Sequence, residues 1–369
     1  MVFSIGTNFN LFVSAQDDTE EVRINTKSQT ELRKSLRQAT KNDPNKIETQ
    51  KLKTKSKDNL ETQSIGDTNI NLDLKTKKIK IKNKSKGEIN IGIPNSNKIN
   101  SVDVLDDKVI YTTSDNKVET IVEAMEGGMR QVINIKDNTA PSFYDFPVEL
   151  NASETIQINE DGTASITAPF TAEEQKQNQE LLKTAPTNFK LPKNKTKLSI
   201  AKPWAKDNNG KDLPTSYSVN GNNLRQTIDF TGAVFPVTAD PIWCGNAIGN
   251  VKWGWNDGKR SLLVTPTNCG RSAGVMSPFS YNATQVGAIV RKINEDIRWS
   301  SWNELVNLTP KDNYWDKKYG TYTYWSIHDQ FVCHLFNVTT ITKSSWNLEP
   351  ERKNVGLVNT YIKSCNPSF

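Results

Sequence analysis

All four cysteines (Cys244, Cys269, Cys333, Cys365), both histidines (His328, His334) and eight of the nine tryptophans of this 369-residue chain fall between Trp243 and Phe369. That concentration constrains the fold more than any local pattern. Large aromatic side chains supply much of a small core, and an even set of cysteines confined to one unit predicts two disulfides formed in an oxidising compartment. None of the cysteines sits in a CxxC pair, which argues against a zinc or thioredoxin-like site. Four cysteines allow three pairings, and sequence does not choose among them. Cys244–Cys269 with Cys333–Cys365 is preferred because each closes a loop of moderate length, and each bridge would contribute roughly 2–4 kcal/mol.

Upstream the composition changes. Length alone suggests two or three domains, and with 35% hydrophobic residues some of the chain lacks the material for a core. Residues 1–15 read as a truncated signal peptide: mildly apolar runs lead into Val13-Ser14-Ala15, a small-residue pattern that a signal peptidase accepts, although a basic leader is missing. Residues 16–68 are dominated by Lys, Thr, Gln, Asn and Asp, with no aromatic between Phe12 and Tyr111, and are expected to be a disordered spacer. From about Asn69 the pattern becomes period two, as in Ile70-Asn71-Leu72-Asp73-Leu74 and Ile79-Lys80-Ile81-Lys82. Strand-like runs recur to Phe230, broken by Gly127-Gly128, Asp161-Gly162 and Asn220-Gly221, so residues 69–242 form an antiparallel β domain.

Several phrases in that domain carry a resemblance. Ala201-Lys202-Pro203-Trp204, Pro214-Thr215-Ser216-Tyr217 and Phe235-Pro236-Val237-Thr238-Ala239-Asp240-Pro241-Ile242-Trp243, with Tyr144-Asp145-Phe146-Pro147-Val148 upstream, resemble a β module of secreted Gram-positive proteins over residues 100–243. The resemblance implies export and modular presentation, and no chemistry. Pro236 and Pro241 are expected to flank a stiff hinge into the next domain.

Residues 243–369 read as a small disulfide-stapled α+β domain, making the whole chain an α+β multidomain protein. Val251–Trp255 and Arg260–Val264 enclose Asn256-Asp257-Gly258, a hairpin signal. Val286, Ile289, Val290, Ile293 and Ile297 predict a helix over Ala283–Arg298, and strands are expected at Thr321–Trp325, His328–Val338 and Asn354–Ile362. Here too there is a resemblance. Trp253-Gly254-Trp255, Trp302-Asn303-Glu304-Leu305, Gln330-Phe331-Val332-Cys333-His334, Trp346–Val355 and Cys365-Asn366-Pro367 resemble the domain of unknown function 2599 family of secreted bacterial proteins. Glu351 and Lys353 depart from it, standing where an aromatic and a proline are expected. The resemblance supplies no activity, so function has to come from the residues.

Two sets of residues stand out. His328 and His334, six apart on one face of an expected strand, with Glu349 as a carboxylate partner and Lys343 nearby, could serve as acid and base in a hydrolase such as a nuclease. The alternative is that both histidines are simply packed. Tyr314, Trp315, Lys317, Lys318, Tyr322 and Trp325 interleave aromatic faces with positive charge, which suits a glycan, teichoic acid or anionic lipid, or else a core hairpin. Residues 243–369 hold 14 Lys and Arg against 9 Asp and Glu, most of the chain's net charge of +6, which fits a wall polymer, anionic lipid or nucleic acid as partner and equally a soluble protein with no such partner. There is no dedicated nucleic-acid motif, no metal-ligand spacing, no cofactor motif and no run long enough to span a membrane. The expectation is a secreted modular protein acting at a bacterial envelope, as an antibacterial effector. The alternatives are a non-toxic wall- or glycan-binding module and a histidine-dependent hydrolase.

Overall fold

The computed structural model describes residues 23–24, 27–44, 48–64, 66–186, 189–271, 294–310, 320–337 and 343–368. The period-two runs form strands, and their alternation sets which face is buried. Thr68–Asp73, Lys78–Asn83 and Gly87–Gly92 pair antiparallel, pointing Ile70, Leu72, Ile79, Ile81, Ile89 and Ile91 inward and their lysines with Asn69, Asn71 and Asn90 outward. They belong to an eight-stranded sheet that continues through Phe143–Glu149 to the hairpin Asn223–Ile228 and Thr215–Asn220. An eleven-stranded sheet packs against it, and residues from both sheets, among them Tyr111, Met129, Ile133, Phe146 and Trp243, share one core. The result is a β-sandwich.

Part of the stretch expected as spacer is ordered. Gln29–Thr40 is a helix (α1) that begins with a capping box, in which Ser28 and Glu31 exchange hydrogen bonds, and Leu52–Ser56 and Asn59–Thr62 extend the eight-stranded sheet. Helix α1 holds only three buried apolar residues. Leu32, Leu36 and Ala39 nevertheless line one side and cover Leu105, Ile110, Ile121 and Val132 on the outer face of the large sheet. That cover explains why Val118–Met125 and Gly128–Ile135 are buried at every position. Beside α1 the buried Arg130 guanidinium meets Glu123, Asp43 at 2.7 Å and Asp240 at 3.8 Å.

The expected proline hinge is instead sheet. Val237–Asp240 pairs with both Ile133–Ile135 and Trp204–Lys206, and Ile242–Cys244 pairs with Gly128–Arg130 and Ser199–Ile200. Backbone pairing on both sides and full burial leave that segment nothing to swing about.

The C-terminal domain has the expected hairpin, Ile248–Asn256 with Lys259–Pro266, extended by Trp346–Leu348 into a three-stranded sheet. Its helices correct the sequence reading. Thr321–Trp325 and His328–Val338 are not strands: Gly320–Phe336 is one helix of 17 residues. Asn354–Ile362 is a loop leading into the short helix Leu357–Ile362. Most of the helix expected over Ala283–Arg298 lies outside the described residues, and its end enters the helix Glu295–Leu308. In chain order α2 is Ala172–Leu182, α3 Glu295–Leu308, α4 Gly320–Phe336 and α5 Leu357–Ile362.

Both preferred disulfides are present. Cys333–Cys365 ties α4 to the residues after α5, and Cys244–Cys269 ties the sandwich to the segment after the hairpin. The two units share more than that bond. Met125, Ala201 and Ile242 of the sandwich join the C-terminal core, and Lys86 of the sandwich ion-pairs with Glu304 of α3 at 3.7 Å. No helix among the described residues is long and apolar enough to cross a membrane.

Candidate functional site

The change from strand to helix separates the two histidines. Six residues advance an α-helix by 600°, so His328 and His334 leave α4 in different directions, whereas on a strand they would have shared a face. Each is buried in its own surroundings.

His328 sits among aromatic rings: Trp302 at 5.1 Å, Trp325 at 5.3 Å and Phe189 at 5.6 Å, all edge to face. Its Nδ1 lies 2.9 Å from Asp329 Oδ1, so Nδ1–H donates to the carboxylate, while Nε2 has no hydrogen-bond partner among the described residues. Burial, helped by the Arg298 charge, holds its pKa below the ordinary value despite Asp329. Arg298 is itself buried. It ion-pairs with Glu295, donates to the Lys190 carbonyl at 3.0 Å and stacks 4.8 Å from the Phe189 ring. Phe189 thus reaches from the connection after α2 to cap the His328–Arg298 cluster.

His334 stacks on Trp346, ring centres 6.1 Å apart and planes 8° from parallel. Burial first, then the positive charges of Lys343 and Arg352, push its pKa down to about 3, so it is neutral at pH 7. Glu349 is occupied elsewhere. Its carboxylate accepts from Arg352 Nε at 2.6 Å, Asn256 Nδ2 at 3.1 Å and Ser261 Oγ at 3.4 Å, and its backbone pairs both ways with the Gln330 amide at 3.0 Å. It acts as a clamp joining the hairpin, α4 and the Arg352 loop.

Of the expected aromatic and basic patch, Tyr314, Trp315, Lys317 and Lys318 lie outside the described residues, as does the Tyr322 side chain. Trp325 is buried against Phe189 at 4.8 Å. The aromatic surface that is open lies on the hairpin. Among the described tryptophans Trp255 alone is exposed, at 65%. Asp257 and Gly258 both have positive φ, the backbone of a tight two-residue turn, which places Trp255 directly opposite Arg260. The Arg260 guanidinium stands 5.2 Å from the Trp253 ring and 6.0 Å from Trp255, and Trp253 Nε1 donates to the Pro310 carbonyl at 3.2 Å. Lys252 and Lys259 are exposed on the same hairpin. Sequence reasoning saw the Trp-Gly-Trp phrase as hairpin but not as surface; the signal was its position next to the turn, beyond the reach of a core. Phe189 and Arg298 were missed altogether, because nothing local marks a pair more than a hundred positions apart.

Residues 248–368 match the family described as Protein of unknown function (DUF2599), the family that the C-terminal phrases resemble. No curated protein and no solved structure matches the chain.

Proposed function

We propose that this is an exported protein whose C-terminal domain engages a bacterial envelope polymer by surface binding, presented on the β-sandwich. The observation that carries the reading is the Trp255–Arg260 tip: an exposed indole with a guanidinium beside it and its neighbour Trp253, at the end of a hairpin whose other face carries the exposed Lys252 and Lys259. An indole stacks on sugar rings, and the basic groups attract anionic wall polymers. Two disulfides support an oxidising destination. The hydrolase reading is less favoured. His328 and His334 are buried apart and held neutral, and Glu349 has its acceptor sites filled, so the three share no cleft from which to pass protons.

The test is co-sedimentation of the full chain with purified Gram-positive cell walls, beside the Trp255→Ala/Arg260→Ala double variant. Binding by the parent and not the variant supports the reading; equal binding, or none, sinks it. A viability count on the same cells distinguishes an antibacterial effector from a non-toxic attachment module. A His328→Ala/His334→Ala chain that binds walls but no longer kills would restore the hydrolase.

A further inference from the structure

A cleft of about 190 Å3 lies at the seam between the sandwich and the C-terminal domain, away from the hairpin tip. Its walls are unusual for a domain interface. Helix α3 faces it with Ser300, Asn303, Glu304 and Asn307, and α2 with Glu174, Gln177 and Asn178. Both sets follow helical i, i+3, i+4 spacing, so each helix turns a polar stripe into the seam where packed domains would bring apolar side chains. A seam built in this way cannot close dry.

The polar groups divide into two kinds. The charges are matched: Lys195 pairs with Glu174 at 2.9 Å, Lys86 with Glu304 at 3.7 Å, and Lys197 with Glu154. Of the lining amides, Gln177 donates to Glu173 at 3.4 Å. Asn178, Asn303 and Asn307 make no side-chain hydrogen bond among the described residues, and Asn178 and Asn303 are half-buried in the cleft walls.

From these observations we infer that the cleft is a subsite for a neutral saccharide unit. Balanced charge disfavours an anion. Side-chain amides, each both donor and acceptor, match hydroxyls that also donate and accept, and Phe170 at the edge offers an apolar face for ring C–H groups. The volume is below the roughly 300–1,000 Å3 of drug-sized pockets, which fits one ring rather than a chain. The choice of a saccharide over other polar neutrals rests on the envelope reading above.

The experiment is saturation-transfer NMR on the full chain with glucose, N-acetylglucosamine and inorganic phosphate as probes. Millimolar binding of at least one sugar is expected, weakened at least about five-fold in Asn178→Ala/Asn307→Ala by the loss of hydrogen bonds. It should be abolished in Asn303→Trp, which fills the cleft, with unchanged circular dichroism in every variant. The inference is overturned if neither sugar gives transfer, if Asn303→Trp binds as the parent does, or if phosphate displaces the sugar. Wall sedimentation with no sugar binding would defeat the subsite alone. Sugar binding in a chain that ignores walls would defeat the proposed function and leave the subsite standing.

Discussion

The sandwich and the C-terminal domain both bury titratable groups, but they neutralise them in opposite ways. In the sandwich, charge meets charge. Glu123 is opposed by Arg130 and Lys108, Glu119 by Lys27 and Lys136, and although burial pushes both carboxyls up, these cations outweigh it and hold both pKa values below the ordinary range. In the C-terminal domain the histidines are desolvated among aromatics until they give up their protons. The first arrangement makes a sheet register that depends on partners, because a displaced strand would strand a buried charge. The second depends chiefly on packing, with Asp329 as the carboxylate at His328, and is exposed to acid. A lowered carboxylate pKa contributes stability that is lost only as pH falls below about 4, whereas a lowered histidine pKa begins to cost stability below about 6.5. Acid should therefore loosen the C-terminal domain before the sandwich.

The largest effect is expected from Arg130→Met. It leaves Glu123, Asp43 and Asp240 facing one another with no guanidinium. Urea unfolding at pH 7 should show a loss of about 3–5 kcal/mol, shrinking as pH falls and the stranded carboxylates protonate. An unchanged midpoint would mean that the network is replaceable and the contrast between the two regions false.

Next in size is removal of the Cys333–Cys365 bond, whose ends are 32 residues apart. Cys333→Ala/Cys365→Ala should cost about 3–4 kcal/mol by loop entropy. The loss should be confined to the C-terminal domain: tryptophan fluorescence should shift at lower urea than the far-ultraviolet β signal. Coincident transitions would show the two units to be one cooperative body, which their shared core and Cys244–Cys269 would then explain.

How far the sequence could have revealed these differences depends on how each element is buried. Strands 68–92 were readable because one face is core and the other solvent, so Ile and Leu alternate with Asn and Lys. The hairpin was readable from Asp257-Gly258. Helix α4 was not, because Trp325 to Phe336 are buried at every position: a helix buried all round shows no 3.6 period, and its aromatic and β-branched residues read as strand. Its unbroken length was the usable signal. Helix α1 was hidden by its few apolar residues, although Ser28 and Glu31 spelled out a capping box. The polar stripe Ser300, Asn303, Asn307 could be read as a solvent face; only the position of α2 across from it makes a cleft.

A smaller effect isolates the acid sensitivity. His334→Phe keeps a flat ring against Trp346 and removes the titration. With a folded pKa of about 3 and an unfolded one near 6.5, the unfolded chain holds the extra proton in between, so stability is full above pH 6.5 and declines as pH falls. At pH 5 the parent should have lost about 2 kcal/mol relative to pH 7.5 that the variant retains. Glu304, whose pKa is raised by burial, works in the opposite sense but is common to both chains and cancels in the difference. Parallel pH profiles would place His334 in contact with solvent and reopen its use as a base.

The smallest effect on stability should come from Trp255→Ala, which removes a side chain that is 65% exposed and belongs to neither core. Its unfolding midpoint should stay within about 0.5 kcal/mol of the parent. Wall sedimentation should nevertheless fall, because stacking on a bound ring is made by the exposed face alone. This pairing of little stability with much binding separates a surface kept for a partner from a surface left over by folding. An indole that supports the fold would lose stability and binding together. One that is incidental would lose neither, and the reading of the hairpin as the contact surface would then fall while the sandwich and its charge network stood unaffected.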